Sequence, residues 1–145
     1  MKNWELLINQ GRDAYSEERF NQALSINQNA IEIALNLFDN VFELEPERAV
    51  AAVVISYFNI ADTYIALNSW SSAQQALEQA SLFLQKQFSC LFLSEPQQVA
   101  LLHAASHLRI EWASLIQKSS AATAATHQSP PVMIKEQQAI QKYNQ

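Results

Sequence analysis

A single glycine, Gly11, is the feature that most limits how this chain of 145 residues can fold. Tight β-hairpin turns need residues with positive φ, which glycine adopts most readily, so a hairpin-rich β-fold could hardly build its turns here. Hydrophobic residues make up 49% of the chain, and one domain of this length can bury a sizeable core. We therefore expect an all-α fold.

Apolar residues recur at three- and four-residue steps and predict amphipathic helices. The first two span residues 3–15 and about 20–44. Pro46 marks the next boundary, because proline can open a helix but cannot continue one, and the third helix spans residues 47–67. The fourth spans residues 70–88. These four helices are expected to form two antiparallel hairpins.

A fifth helix begins at Ser94-Glu95-Pro96-Gln97, where a hydroxyl followed three residues later by glutamine is typical of a capping box. Its apolar stripe is expected to be buried and runs from Leu101 to Leu115. Residues 1–118 are thus predicted to be one helical domain. Residues 119–131 are rich in Ala, Ser, Thr and Pro and predict a linker, followed at 132–145 by a short C-terminal helix or flexible tail.

The first two hairpins share a pattern at a constant offset of fifty residues, which indicates an internal repeat. The matched pairs are Gly11 with Ala61, Phe20 with Trp70, Ala23 with Ala73, and Ala30 with Ala80. The second copy resembles the tetratricopeptide repeat (TPR), whose signature it matches at Ile60-Ala61, Tyr64, Trp70, Ala73, Leu77 and Ala80. The offset is longer than the usual TPR period of about 34 residues.

The TPR resemblance implies a short right-handed solenoid of about five helices, of the kind found in short bacterial TPR-like proteins. It also implies that a peptide or helix binds on the concave face lined by the first helix of each pair. On those helices the candidate peptide-binding residues are Arg12, Tyr57, Asn59 and Tyr64. Asn59 occupies the position of one asparagine in the family's clamp for chaperone tails, and Arg12 is nearby in the pattern, but the other cations of the clamp are missing.

Charge and composition exclude several other functions. The net charge is −5, and residues 1–48 hold nine acids against four bases, so no basic footprint for nucleic acid or an anionic membrane is present. One glycine leaves no GxSxG elbow or phosphate-binding loop, which favours a protein without catalysis or cofactor. The single cysteine, Cys90, is predicted to be a small buried hydrophobe. Neither a signal peptide nor a membrane span is predicted, so we expect a cytoplasmic location.

One group of side chains has the spacing of a metal site. His103, His107 and Glu111 recur every fourth residue and share one side of the fifth helix. A solvated helix face explains the same spacing, and this interpretation is preferred. The HExxH pattern of metalloproteases is absent because Ala104 follows His103.

The leading hypothesis is a non-catalytic interaction module, an adaptor or chaperone-like protein that binds another protein or peptide. The first alternative is a self-associating structural or regulatory protein, a homodimer formed through an uncapped apolar end or through residues 132–143. The second is a metal-responsive module that uses His103, His107 and Glu111.

Overall fold

A computed structural model describes residues 1–127, which form five α-helices and contain no strand. The helices are α1 (Lys2–Ser16), α2 (Phe20–Leu44), α3 (Pro46–Ala66), α4 (Trp70–Phe88) and α5 (Glu95–His127). The all-α class is confirmed, and the first four helices begin and end within one residue of the prediction. The chain divides into two compact units, one of Met1–Leu108 and a second that begins at Arg109.

Within the first unit, consecutive helices pack against each other from α1 to α4, and α1 also touches α3. The central helix, α3, is the most apolar, and Val50, Val53 and Ser56 are fully buried on it. By length and composition alone, α3 would also suit a membrane span. However, 56% of that apolar window is buried inside the fold, so the central position of α3 accounts for its apolar character.

Two polar contacts fix α1 on α3. Trp4 Nε1 donates a hydrogen bond of 2.8 Å to Ser56 Oγ, and that hydroxyl donates in turn to the carbonyl of Ala52 at 2.7 Å. Nearby, Arg48 of α3 forms ion pairs with Glu5 of α1 and with Glu45. The buried Ser56 hydroxyl thus has both a donor and an acceptor, as buried polar groups require.

The turns of the two hairpins repeat at the same offset of fifty residues. Glu18 and Asn68 both adopt the left-handed conformation, with φ of 60° and 57°. In each turn the following residue donates a backbone hydrogen bond of 2.8 Å across the turn, Arg19 to Ala14 and Ser69 to Tyr64. The internal repeat seen in the side-chain pattern therefore extends to the backbone geometry.

Helix α5 begins as predicted but ends later. At its start, Gln97 Oε1 accepts from the Ser94 N–H at 2.9 Å and the Gln97 N–H donates to Ser94 Oγ at 3.2 Å, which confirms the capping box. At its other end the helix continues through residues 119–127, where a linker was expected. Four of these nine residues are alanine, which has the highest helix propensity. The Thr123 hydroxyl donates within the helix to the Ser119 carbonyl at 3.0 Å. The predicted segment at 132–145 lies outside the described residues.

The prediction that Cys90 is buried is wrong. Its side chain is exposed, because α4 ends at Phe88 and Cys90 lies in the connection to α5. The apolar neighbours that suggested burial, Leu91 and Phe92, are exposed as well. An apolar stretch at the end of a helix is buried only where another element covers it.

We expect Glu18→Gly to stabilise the protein by about 0.5–1 kcal/mol, because glycine adopts positive φ without the strain of a Cβ. Asn68→Gly should gain less, since asparagine already tolerates this conformation. Glu32→Gly is the matched control: it makes the same substitution on an exposed helical position and should cost about 1 kcal/mol. Urea unfolding measures all three. A loss for Glu18→Gly as large as that for Glu32→Gly would contradict the prediction.

Candidate functional site

The four predicted binding residues lie in two separate grooves of the first unit. Arg12 and Asn59 line a pocket between α1 and α3, which we call the α1–α3 pocket. Tyr57 and Tyr64 line a wider depression between α3 and α4, which we call the α3–α4 groove. The structure therefore unites the predicted residues as two pairs and does not bring all four together.

The α1–α3 pocket has a volume of about 220 Å³. Its lining comes from three helices: Ile8, Gly11, Arg12 and Tyr15 of α1, Asn27 of α2, and Ile55, Asn59, Asp62 and Thr63 of α3. The lining residues on α1 and on α3 recur at three- and four-residue steps, so each helix turns one continuous face toward the pocket. The pocket is thus built by regular helix geometry and does not depend on loops.

The rim of the α1–α3 pocket is polar and its walls are partly apolar. Arg12 is exposed, while Asn59 and Asp62 are half-buried, so a guanidinium, an amide and a carboxylate border one opening. Ile8 and Ile55 supply apolar wall. This combination can hydrogen-bond to a main chain and accommodate an apolar side chain at the same time.

Asn27 was not foreseen from the sequence, although it is the most unusual residue of the pocket. Its side chain is only 2% exposed, and Nδ2 donates to the Ala23 carbonyl at 2.9 Å. Its Oδ1 is buried and accepts no hydrogen bond. The residue fifty positions later is Leu77, an apolar core residue, so a polar residue at a core position of the repeat was the available signal.

The Asn27 side chain disfavours a residue larger than glycine at position 11. A Cβ at position 11 would lie 3.0 Å from both Nδ2 and Oδ1 of the Asn27 amide and 3.2 Å from its Cγ, which is closer than ordinary van der Waals contact. The amide therefore occupies the space that a side chain on α1 would take. At the corresponding positions of the second hairpin, Ala61 replaces Gly11 and the aliphatic Leu77 replaces Asn27. The second hairpin therefore does not need a glycine there.

The α3–α4 groove is larger, at about 440 Å³, and mostly uncharged. Its lining is Gln28 of α2, Tyr57, Ile60 and Tyr64 of α3, and Ser72, Gln75, Ala76, Glu78 and Gln79 of α4. Burial raises the pKa of the Tyr57 phenol, so this hydroxyl stays protonated and can both donate and accept hydrogen bonds. The groove offers amides and hydroxyls with one carboxylate.

The predicted histidine cluster is not arranged as a metal site. His103 Nδ1 lies 2.8 Å from Glu47 Oε1 of α3, so this imidazole has a carboxylate partner from another helix. Among residues 1–127 no group of three or more His, Cys, Asp or Glu side chains is placed to hold a metal ion. The hypothesis of a metal-responsive module therefore gains no support from the described part of the chain.

The contact between Gly11 and Asn27 can be tested with a double-mutant cycle. In an Asn27→Ala background, Gly11→Ala should stabilise α1 by about 1 kcal/mol through helix propensity. With Asn27 present, the added methyl meets the amide and this gain should be lost, so the coupling free energy should reach about 1 kcal/mol. Leu77→Ala in place of Asn27→Ala is the control and should combine additively with Gly11→Ala. Additivity in both cycles would contradict the proposed contact.

Comparisons with known proteins give one family. Residues 2–128 match the family model described as Protein of unknown function (DUF2753). No curated protein and no solved structure matches the chain.

Proposed function

Since the chain belongs to the DUF2753 family of proteins of unknown function, we propose its function from its own site: it is a non-catalytic module that binds a peptide or helix of another protein in the α1–α3 pocket. The observation that carries this proposal is the convergence of Arg12 and Asn59, from two different helices, on one opening with apolar walls. A cytoplasmic adaptor or chaperone-like role belongs to the same proposal.

The size of the α1–α3 pocket favours a side chain of a larger partner as its occupant. Pockets for drug-sized molecules usually measure about 300–1,000 Å³. At about 220 Å³, this pocket is smaller and suits one anchoring side chain whose main chain continues along the rim. Asn59 can pair with a main chain running in either direction, because its amide both donates and accepts. Arg12 and Asp62 then select charges on the residues beside the anchor.

We further propose that the paired helices form a short TPR-like solenoid. Support comes from the repeat of fifty residues, in which the turns at Glu18 and Asn68 share the same backbone hydrogen bonds. In TPR proteins the first helix of each hairpin lines the binding surface. Here α1 and α3 hold those positions, and both line the pocket. Only Asn59 matches a position of the chaperone-tail clamp, with Arg12 nearby, so a different peptide class is proposed.

The proposal predicts that peptides selected from a random displayed library bind the full chain saturably and depend on the rim. Arg12→Ala or Asn59→Ala should weaken binding by about tenfold to a hundredfold, the loss expected when a charged or buried hydrogen bond is removed. Fluorescence anisotropy with a labelled peptide measures the dissociation constants.

Two variants serve as controls for that experiment. Lys86→Ala removes one exposed positive charge outside both grooves and should leave the affinity unchanged. Tyr64→Ala alters only the α3–α4 groove. If Tyr64→Ala abolishes binding and the rim variants do not, the function belongs to the other groove. If no peptide binds saturably, the proposed function is wrong.

A further inference from the structure

We propose that the connection between α4 and α5, residues 89–94, is a second interaction surface that inserts Leu91 and Phe92 into an apolar pocket of another protein. The pocket on that partner is rimmed by lysine or arginine. We call this connection the anchor loop. The inference is independent of the α1–α3 pocket, because none of the residues that line the pocket belongs to the loop.

The first observation is the exposure of the anchor loop. Phe92 is 94% exposed and Leu91 is 88% exposed, the highest values among the large hydrophobic residues within positions 1–127. Leu44, at the end of α2, follows at 84%. Singly exposed hydrophobic residues are common, but an adjacent leucine and phenylalanine that are both almost fully solvated form one apolar patch, and phenylalanine is enriched in the cores of protein interfaces.

The second observation is that the anchor loop is held at both ends. On the α4 side, Ser89 Oγ donates to the Lys86 carbonyl at 2.6 Å and the Cys90 N–H donates to the Gln87 carbonyl at 3.2 Å. On the α5 side, Gln98 Nε2 donates to the Leu93 carbonyl at 3.1 Å, next to the capping box. A loop fixed in this way presents its two apolar side chains at a low entropic cost of binding.

The third observation is the charge around the anchors. Gln97 Nε2 donates to the Phe42 carbonyl at 3.3 Å, which places the end of the anchor loop beside the end of α2. Glu43 and Glu45 flank Leu44 there, and Glu95 directly follows the loop, all of them exposed. Glu45 is paired with Arg48, and exposed Lys86 lies at the end of α4, but Glu43 and Glu95 leave the surroundings of the anchor loop net negative. The complementary surface is therefore an apolar pocket with a basic rim.

The same charges argue against two other occupants. A second copy of this chain, docked through the same loop, would bring Glu43 and Glu95 close to their own equivalents, and like charges oppose such contacts. An anionic bilayer would be repelled by the same carboxylates. A basic protein partner satisfies both the apolar and the charged parts of the surface.

Cys90 provides a direct experiment, because it is the only cysteine of the chain and lies exposed in the anchor loop. The full chain carries a short photo-crosslinker on Cys90 and is irradiated in lysate of its source cells. The control is a Cys90→Ser/Ser71→Cys variant with the same label, since exposed position 71 lies near the start of α4, at the other end of that helix. We expect a protein that is captured from position 90 and not from position 71.

The captured protein is then purified and titrated with the unlabelled chain. Phe92→Ser should weaken its binding at least about tenfold, as loss of an anchor does. Affinity should also fall between about 0.1 M and about 1 M salt, where the screening length drops from about 10 Å to about 3 Å. Arg12→Ala should leave this affinity unchanged, which separates failure of this proposal from failure of the pocket. Circular dichroism checks that each variant is folded.

Several outcomes would overturn the inference. They are the absence of an adduct specific to position 90, a captured protein that is indifferent to Phe92→Ser, and an affinity that does not respond to salt. Sedimentation showing a dimer that Phe92→Ser dissociates would assign the anchor loop to a second copy. Flotation with phosphatidylcholine vesicles that is lost in Phe92→Ser would assign it to a membrane surface.

Discussion

The close contact between Gly11 of α1 and the Asn27 amide of α2 brings these two helices together, and the α1–α3 pocket is built around that contact. Because Gly11 has no Cβ, α1 can approach Asn27 of α2 closely. From this position Trp4 reaches the Ser56 hydroxyl on α3, and Arg12, the next residue after the glycine, lines the pocket with Asn59.

Helix bounds were predictable because they depend on local signals. Apolar periodicity, Pro46 and the Ser94–Gln97 capping box each act over a few residues, and the structure follows them. That Tyr57 and Asn59 line different grooves could also have been predicted from the sequence. Side chains two positions apart on a helix, such as Tyr57 and Asn59, point about 200° apart and cannot share one pocket. Side chains seven positions apart, such as Tyr57 and Tyr64, lie on the same face and can share one.

Three other features were not predicted correctly from the sequence. Residues 119–127 are small and lack bulky apolar side chains, which fits a linker and an alanine-rich helix equally well, and helix propensity decides between them. Burial of Cys90 depended on whether another element covers the end of α4. The role of Asn27 required knowledge of which residue on α1 lies opposite it. The exposure of Cys90 and the role of Asn27 are thus questions of tertiary packing, whereas the end of α5 is decided by helix propensity.

The position of α3 has a consequence for how the protein could respond to its ligands. This one helix supplies a wall to the α1–α3 pocket and a wall to the α3–α4 groove, on opposite sides. Packed helices move as rigid elements, so a ligand that prefers one setting of α3 changes the shape that a ligand on the other side meets. Such coupling is reciprocal: the factor by which the first ligand changes the affinity for the second equals the factor by which the second changes the affinity for the first. The α1–α3 pocket and the α3–α4 groove therefore share one structural element, and a displacement of α3 would alter both.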